Sequence, residues 1–209
     1  MENNIEVEVR GRLTTDEYNE LHAFLLREGV YKETKNRILL DYSTFMPEEG
    51  IVNRTRDIRL RVTNGQPEII TKLGRWGGGE NRKEISVLTK KGSFDRLVET
   101  YAVLGFKKAM LCIRNTEVFE YQDIEFALVE VHGHSYYFEA EVMASSEDSI
   151  PDAREKIGRV CKNLKLNILD DKGFYRYIEV LNSEANEVFE YDESREGYFE
   201  KRFNLSEKL

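Results

Sequence analysis

The sequence predicts an α+β protein in which about eight strands close into a barrel that forms a polar tunnel, with the helices packed outside. Three observations predict this fold. Short segments that alternate apolar and charged residues recur along the chain, and hairpin turns or short helices join most of them. The charged faces of these segments carry acids and bases in equal number. The helical segments have apolar stripes, so the apolar faces of the sheet must turn outward to them and the charges inward.

Length and composition set the class of protein. A chain of 209 residues, with 40% hydrophobic and 33% charged residues, forms one globular domain or one domain with a tail. Its net charge of −8 argues against a role in coating nucleic acid, so no DNA partner is expected. No apolar run approaches the roughly 20 residues that span a bilayer. Cys112 and Cys161 fit neither a disulfide framework nor a zinc site, and the first residues do not resemble a signal peptide, so a cytoplasmic location is expected.

The first part of the chain reads as strand, helix and strand. Residues 4–12 alternate acidic and apolar side chains, which is typical of a half-buried strand. Residues 14–28 are predicted to be helical, because a threonine pair can cap the start and a glycine follows the end. A second strand is expected at 35–43, and the proline and glycine that follow predict a loop at 45–55.

The clearest hairpin lies in the middle of the chain. Strands at 57–64 and 67–73 are separated by Asn-Gly, the strongest short-range hairpin signal. In the first of these strands, arginines alternate with apolar residues. A glycine-rich loop at 74–81 leads into the next strand, at 81–88.

The second half of the chain continues with helices and strands. Its predicted segments are a helix at 93–104, strands at 106–120 and 124–132, a strand around Glu139 and Glu141, and helices at 146–164 and 173–181. Residues 1–181 are therefore predicted to form the tunnel domain. Residues 182–209 form a C-terminal extension rich in acidic and aromatic residues, either docked on the barrel or partly disordered.

The charged strand faces carry the chemistry. Any one of these strands could simply turn a charged face to solvent. Together, however, they supply six acids and six bases: Glu6, Glu8, Glu84, Glu130, Glu139 and Glu141, with Arg10, Arg59, Arg61, Lys72, Arg82 and Arg114. Clustered carboxylates inside a tunnel resist ionisation unless a cation joins them, and Mg²⁺ or Mn²⁺ prefers such oxygen ligands. Guanidinium groups bind phosphate in a bidentate fork, so a substrate with several adjacent phosphates would use both sets of charges.

In the order of these charged strands the chain resembles a known family over roughly residues 3–180. It is similar to a CYTH domain, also called a triphosphate tunnel metalloenzyme. The matching motifs, in chain order, are an E-x-E-x-K pattern at Glu6, Glu8 and Arg10, an R-x-R pattern at Arg59 and Arg61, a threonine–lysine strand at Thr71 and Lys72, an R-x-E pair at Arg82 and Glu84, a K-x-R pair at Cys112 and Arg114, an acidic residue at Glu130 and a closing E-x-E at Glu139 and Glu141.

The resemblance implies an eight-stranded antiparallel tunnel and a metal-dependent enzyme that acts on triphosphates. Its members include inorganic triphosphatases, thiamine-triphosphatases, RNA 5′-triphosphatases and class IV adenylate cyclases. It implies that one or two Mg²⁺ or Mn²⁺ ions are held by Glu6, Glu8, Glu130, Glu139 and Glu141. Catalysis would then depend on Glu6, Glu8, Glu139 and Glu141, and the phosphates would bind Arg10, Arg59, Arg61, Lys72, Arg82 and Arg114.

Three departures from the family pattern leave the substrate open. Arg10 stands in place of lysine, Cys112 in place of a cation and Glu130 in place of aspartate. Three functions therefore remain: hydrolysis of inorganic tripolyphosphate or of an organic or nucleoside triphosphate, a class IV type adenylate cyclase that makes cAMP from ATP, and a non-catalytic module that binds polyphosphate or nucleotide. In each case the partner is a small molecule that contains triphosphate, and a homodimer is a further option.

Overall fold

The fold is organised around one antiparallel sheet. A computed structural model describes residues 5–46 and 52–205 of the chain. Residue 4 of the first predicted strand, residues 47–51 of the predicted loop at 45–55 and residues 206–209 of the predicted extension lie outside the described part.

The described part of the chain contains nine strands and five α-helices. The strands are β1 Ile5–Leu13, β2 Val30–Asp41, β3 Arg56–Thr63, β4 Gln66–Leu73, β5 Gly79–Leu88, β6 Lys108–Tyr121, β7 Ile124–Val131, β8 Ser135–Ala144 and β9 Glu187–Glu190. The helices are α1 Thr15–Glu28, α2 Phe94–Val103, α3 Ile150–Asn163, α4 Asp171–Glu184 and α5 Tyr198–Phe203.

Eight of the strands close into a ring. Their order is β2-β3-β4-β5-β1-β8-β7-β6, and β6 pairs in turn with β2, which joins the two ends of the sheet. All of these pairings are antiparallel. The predicted α+β class, with a closed eight-stranded antiparallel tunnel and helices outside, is confirmed.

Local sequence signals set the ends of several elements. Thr14 caps α1 through a capping box with Glu17, in which each side chain accepts a hydrogen bond from the backbone N–H of the other residue. Between β3 and β4, Asn64 and Gly65 both have positive φ, at 49° and 80°. That geometry matches the two-residue turn whose twist fits a hairpin, so the predicted hairpin is confirmed.

Strand β2 is longer than predicted and begins at Val30 rather than at residue 35. Residues 30–34 are exposed and polar in part, so their own pattern does not indicate a buried strand. They are extended because they pair with β6, from Val30 opposite Glu120 onward. This long-range pairing is also the one that closes the ring.

The apolar core lies outside the ring, between the sheet and the helices. One cluster joins the outer residues of β1, β7 and β8 to α1 and α3, with Val7, Phe126, Phe138 and Ile157 all fully buried. A second cluster joins the outer face of β2 and β3 to α2 and to the C-terminal residues. Because the helices take the apolar face, the polar faces of most ring strands turn inward, as the pattern predicted.

The C-terminal residues pack on the barrel. Helix α4 begins before the predicted range of 173–181 and runs to Glu184. It therefore crosses the predicted division between residues 1–181 and 182–209. That division stays a prediction. Strand β9 then pairs with the start of β6. Phe199 of α5 is fully buried. The Asp95 carboxylate accepts hydrogen bonds from the backbone N–H groups of Phe199 and Glu200. None of the described helices has the length and apolar character needed to cross a membrane.

Candidate active site

The inner face of the ring surrounds a polar cavity of about 260 Å³. Alternation along each strand brings the side chains there, since every second residue points to the same face. The charged residues that line it are Glu6, Glu8, Arg10, Lys35, Arg37, Arg59, Arg61, Lys72, Glu84, Glu125, Glu139 and Glu141. Nine of them are among the twelve charges that the sequence pattern assigned to the tunnel.

Three carboxylates meet on one wall of the cavity. Glu8 of β1 lies directly opposite Glu141 of β8, and Glu6 is two residues before Glu8 on the same face. One oxygen from each of the three lies within 4.8 Å of the others. Burial raises the pKa of Glu141 to about 8, and the negative charge of Glu6 adds to that effect.

This carboxylate cluster, Glu6, Glu8 and Glu141, fits a hard divalent cation. Mg²⁺ and Mn²⁺ take carboxylate oxygens together with water, and such a cation would offset the burial and the charge of Glu6 that raise the pKa of Glu141. The donor set is all oxygen and lies around a water-accessible cavity. The residues present therefore suit the metal that the family resemblance implies.

Lys72 adjoins the carboxylate cluster. Its ammonium group pairs with Glu6 and, at 3.0 Å, with Glu84. Burial lowers the pKa of Lys72, but the charges of Glu8, Glu6 and Glu84 outweigh burial and raise it above its ordinary value. Lys72 is therefore a charged residue at physiological pH.

The pair Arg10–Glu139 lies two residues along β1 and β8 from Glu8 and Glu141. Arg10 Nε donates a 3.1 Å hydrogen bond to Glu139 Oε1, and Arg10 Nη2 lies 2.7 Å from Glu8 Oε1. Burial would raise the pKa of Glu139, but Arg10 and Arg37 lower it to about 2. Glu139 is therefore ionised, but its nearest charge partner is Arg10, and it is not one of the three clustered carboxylates.

Two arginines of β3 form the facing wall. Arg61 Nε donates a 2.6 Å hydrogen bond to Glu68, and Arg59 pairs with Asp57. Both guanidinium groups are partly exposed to the cavity, with side-chain accessibilities of 18% and 16%. They can therefore bind an anion without first being released from the protein interior.

The structure places Glu130 outside the cavity, which corrects its assignment to the metal site. Glu130 lies opposite Tyr136 of β8, and Tyr136 belongs to the outer face that packs on α1. Its charge acts instead on Tyr18 of α1. The inner-face carboxylate of β7 is Glu125, which lies opposite Glu141 and lines the cavity. The alternation in β7 had placed Glu130 inside, but the pairing of β7 with β8 turns it outward. A difference of one residue in register exchanges the two faces of a strand.

Two of the predicted phosphate ligands also lie elsewhere. Arg82 is only 1% exposed and donates a 2.6 Å hydrogen bond to Asp57, so it belongs to the wall of the ring and does not line the cavity. Arg114 donates a 2.7 Å hydrogen bond to Asn186. It lines a second cavity of about 130 Å³, between the inner end of the ring and α4, whose apolar walls include Trp76 and Phe174.

Sequence reasoning missed three charged cavity residues, Lys35, Arg37 and Glu125. Lys35 and Arg37 stand two apart on β2, which is the signal that identified the arginines of β3. The apolar run that follows them in β2 obscured the alternation. Glu125 is the second residue of β7, next to the turn, where the face that a side chain takes depends on the pairing register.

Comparison with known proteins identifies the fold. No family model and no curated protein matches the chain. Among solved structures, the PH1819 protein of Pyrococcus horikoshii superposes with a TM-score of 0.69 at 21% identity, covering 83% of this chain and 98% of that one. A proposed adenylate cyclase of Vibrio parahaemolyticus superposes with a TM-score of 0.55 at 15% identity, covering 79% and 91%.

A third similar structure has a different setting. A chain of the Schizosaccharomyces pombe Mediator head module superposes with a TM-score of 0.57 at 12% identity, covering 78% of this chain and 97% of that one. This chain therefore has the same fold as these three structures. The family resemblance seen in the sequence is consistent with that shared fold. One fold can serve several functions, so the activity depends on the residues of the site.

Proposed function

We propose that this protein hydrolyses a phosphoanhydride bond of a triphosphate inside its tunnel, with Mg²⁺ or Mn²⁺ as cofactor. The observation that carries the proposal is the division of one cavity into two kinds of wall. Glu6, Glu8 and Glu141 bring carboxylate oxygens within 4.8 Å of one another. Across the same cavity, Arg59 and Arg61 present guanidinium groups. A metal–polyphosphate complex needs both.

The carboxylate cluster would hold the metal, with Glu139 as the next carboxylate on the same strand as Glu141. When bound, the metal supplies neutralisation of the phosphate charge and a lower pKa for a bound water. At neutral pH the raised pKa of Glu141 means that its carboxyl holds a proton in the metal-free protein, and metal binding would release that proton.

The cations would bind and orient the phosphates. Arg59 and Arg61 lie two residues apart on the same face of β3, so both guanidinium groups would contact the same ligand. Lys72 adds a positive charge between them and the carboxylate cluster. Phosphoryl transfer is catalysed largely by such positioning and by stabilisation of charge on the transferring group. Arg10 is held by Glu8 and Glu139, so its first task is to fix those carboxylates.

A class IV type adenylate cyclase is the second candidate, because the chain shares its fold with a proposed adenylate cyclase. The same cavity would act with a ribose 3′-hydroxyl as nucleophile. A non-catalytic polyphosphate or nucleotide module is the third, since the fold also occurs in the Mediator head module. The carboxylate cluster favours an enzyme over this last candidate, because binding a polyanion does not by itself require three acids in contact.

Product analysis separates the three functions. Purified protein is incubated with tripolyphosphate, ATP or thiamine triphosphate, with Mg²⁺ or Mn²⁺. Orthophosphate release identifies a hydrolase, and cAMP with diphosphate identifies a cyclase. Glu6→Gln should abolish turnover, while Glu155→Gln, an exposed control on α3, should not. Absence of any product from the wild-type protein would contradict both enzymatic functions.

The proposal extends to the partner, the location and the oligomeric state of the protein. The partner is a small molecule that contains triphosphate. The net charge of −8 argues against DNA as a partner. The two cysteines, Cys112 and Cys161, are free thiols, which suits a reducing cytoplasmic location. A homodimer is a further option, which a direct measurement of the molecular mass in solution tests.

A further inference from the structure

Arg37 differs from the other cations of the tunnel. Among the described residues no carboxylate pairs with it, and its buried Nε has no hydrogen-bond partner. The other cations that line the cavity all have acidic partners: Arg10 has Glu8 and Glu139, Arg61 has Glu68, Lys72 has Glu6 and Glu84, Arg59 has Asp57 and Lys35 has Glu33. A half-buried guanidinium with an unpaired N–H is unfavourable unless a ligand pairs with it.

The strand neighbours of Arg37 do not supply the missing charge. On one side it lies opposite Arg114 of β6, and on the other opposite Thr63 of β3. Like charges directly opposite on neighbouring strands are destabilising. Arg114 turns toward Asn186 at the other end of the ring, whereas Arg37 lines the same cavity as the carboxylate cluster. The side chain is therefore exposed to the space where an anion would lie.

Lys35 extends this cationic strip toward Glu125. It shares the inner face of β2 with Arg37, and two residues along a strand place their Cα atoms about 7 Å apart. Lys35 Nζ is 3.2 Å from Glu33 and 3.8 Å from Glu125. Arg37, by contrast, is close enough to Glu139 for its charge to act on that carboxyl. The strip therefore runs along the tunnel toward the Arg10–Glu139 pair.

We propose that Arg37 is a substrate-binding residue whose guanidinium holds the phosphoryl group next to the Arg10–Glu139 pair, while Lys35 contacts the phosphate chain nearer Glu125. The ligand class is a linear oligophosphate, because two cations this far apart along a strand are better matched by adjacent phosphates than by one. This inference rests on the proposed function and extends it to a strand that the charge pattern had not assigned.

The test measures binding without turnover. The probe is imidotriphosphate, whose nitrogen bridges resist hydrolysis, titrated calorimetrically into the full-length protein with Mn²⁺. Arg37→Gln should weaken binding by about tenfold or more, since a charge-assisted hydrogen bond is worth at least the 1.4 kcal/mol of a tenfold change. The affinity of Arg37→Lys should lie between those of Arg37→Gln and the wild type, because lysine keeps the charge but cannot form a bidentate contact. Arg96→Gln, the same change on the exposed face of α2, should bind as the wild type does.

Melting of the free protein distinguishes a binding role from a structural one. Because Arg37 makes no ion pair among the described residues and acts on Glu139 only through its charge, Arg37→Gln should leave the melting temperature close to that of the wild type. Wild-type affinity in Arg37→Gln would overturn the inference, as would absence of binding in the wild type or a large fall in melting temperature that accompanies the lost affinity. If the wild type binds the probe through Arg37 but releases no product from any triphosphate, the inference stands and the proposed enzymatic function fails.

Discussion

Arg82 Nη1 donates a 2.6 Å hydrogen bond to Asp57 Oδ2, and both side chains lie in the wall of the ring with 1% and 0% exposure. Asp57 also pairs with Arg54 at 2.8 Å and with Arg59. One buried carboxylate thus holds three guanidinium groups, of which only Arg59 reaches the cavity. Asp57 and Arg82 support the proposed site by positioning Arg59.

Asp57→Asn should strongly destabilise the fold, because it removes the charge that three buried or half-buried arginines share. Breaking a buried ion pair from one side costs about 3–5 kcal/mol. Chemical denaturation measures the loss. Asp148→Asn, on an exposed turn before α3, is the control and should change the free energy of unfolding little. Equal effects of the two substitutions would show that the buried network adds nothing to stability.

Acid should destabilise the protein partly through Asp57. Burial would raise its pKa, but Arg59, Arg54 and Arg82 hold the pKa well below its ordinary value. A lowered pKa in the folded state gives stability that is present above the unfolded pKa, about 3.9, and lost as the pH falls below it. Asp57→Asn should therefore flatten the acid limb of a plot of stability against pH, and an unchanged limb would contradict this account.

In the metal-free protein, the Glu141 carboxyl should make stability depend on pH in the opposite direction. Burial and Glu6 raise the pKa of Glu141 to about 8, so its contribution is complete below its ordinary pKa of about 4.3 and is lost as the pH rises through 8. Glu141→Gln should raise the melting temperature of chelator-treated protein at about pH 8 by several degrees, at about 2–4 °C per kcal/mol. Glu155→Gln is the control. A lower melting temperature in Glu141→Gln would mean that the carboxylate is stabilised and not strained.

The two arginines of β3 should matter for substrate affinity. Arg59→Ala and Arg61→Ala should each weaken binding of the triphosphate by about 1.5–3 kcal/mol, the value of a charge-assisted hydrogen bond. Lys32→Ala is the surface control, since Lys32 is 45% exposed and pairs only with Glu120 among the described residues. Steady-state kinetics should show a higher KM in the arginine variants. Similar effects in all three variants would argue against a directed tunnel wall.

A triphosphate should stabilise the tunnel far more than orthophosphate does. A ligand that binds only the folded state adds about 2.7 kcal/mol at a hundredfold excess over Kd, or roughly 5–10 °C for a chain of this size. Thermal melts with each anion, with and without Mn²⁺, measure the difference, and a non-hydrolysable analogue prevents turnover. Equal stabilisation by the two anions would indicate a general anion site and remove the support for triphosphate.

Local sequence was sufficient to predict the inner face of most strands. In β1, β3 and β8 the alternation of charged and apolar residues assigned Glu6, Arg59 and Glu139 to the inside of the ring, and the structure places them there. This worked because successive Cβ atoms of a strand point to opposite faces whatever its partners are. The Asn-Gly turn likewise set the register of the β3–β4 hairpin from adjacent residues alone.

Long-range pairing decided what the pattern could not. The exposed start of β2 becomes a strand only through β6, and that pairing brings Lys35 and Arg37 to the cavity. The register of β7 against β8 turns Glu125 inward and Glu130 outward. A shift of one residue exchanges the faces of a strand while leaving its composition unchanged, so composition could not reveal it.

The sequence by itself determined a closed sheet with its charges inside and its helices outside, because alternation and helical periodicity are properties of neighbouring residues. Only the tertiary structure decided which charges share a cavity. Arg82 and Arg114 face inward as predicted, yet Asp57 holds one in the wall and Asn186 draws the other toward α4. A long side chain on the correct face still chooses among the partners that distant parts of the chain bring within its reach.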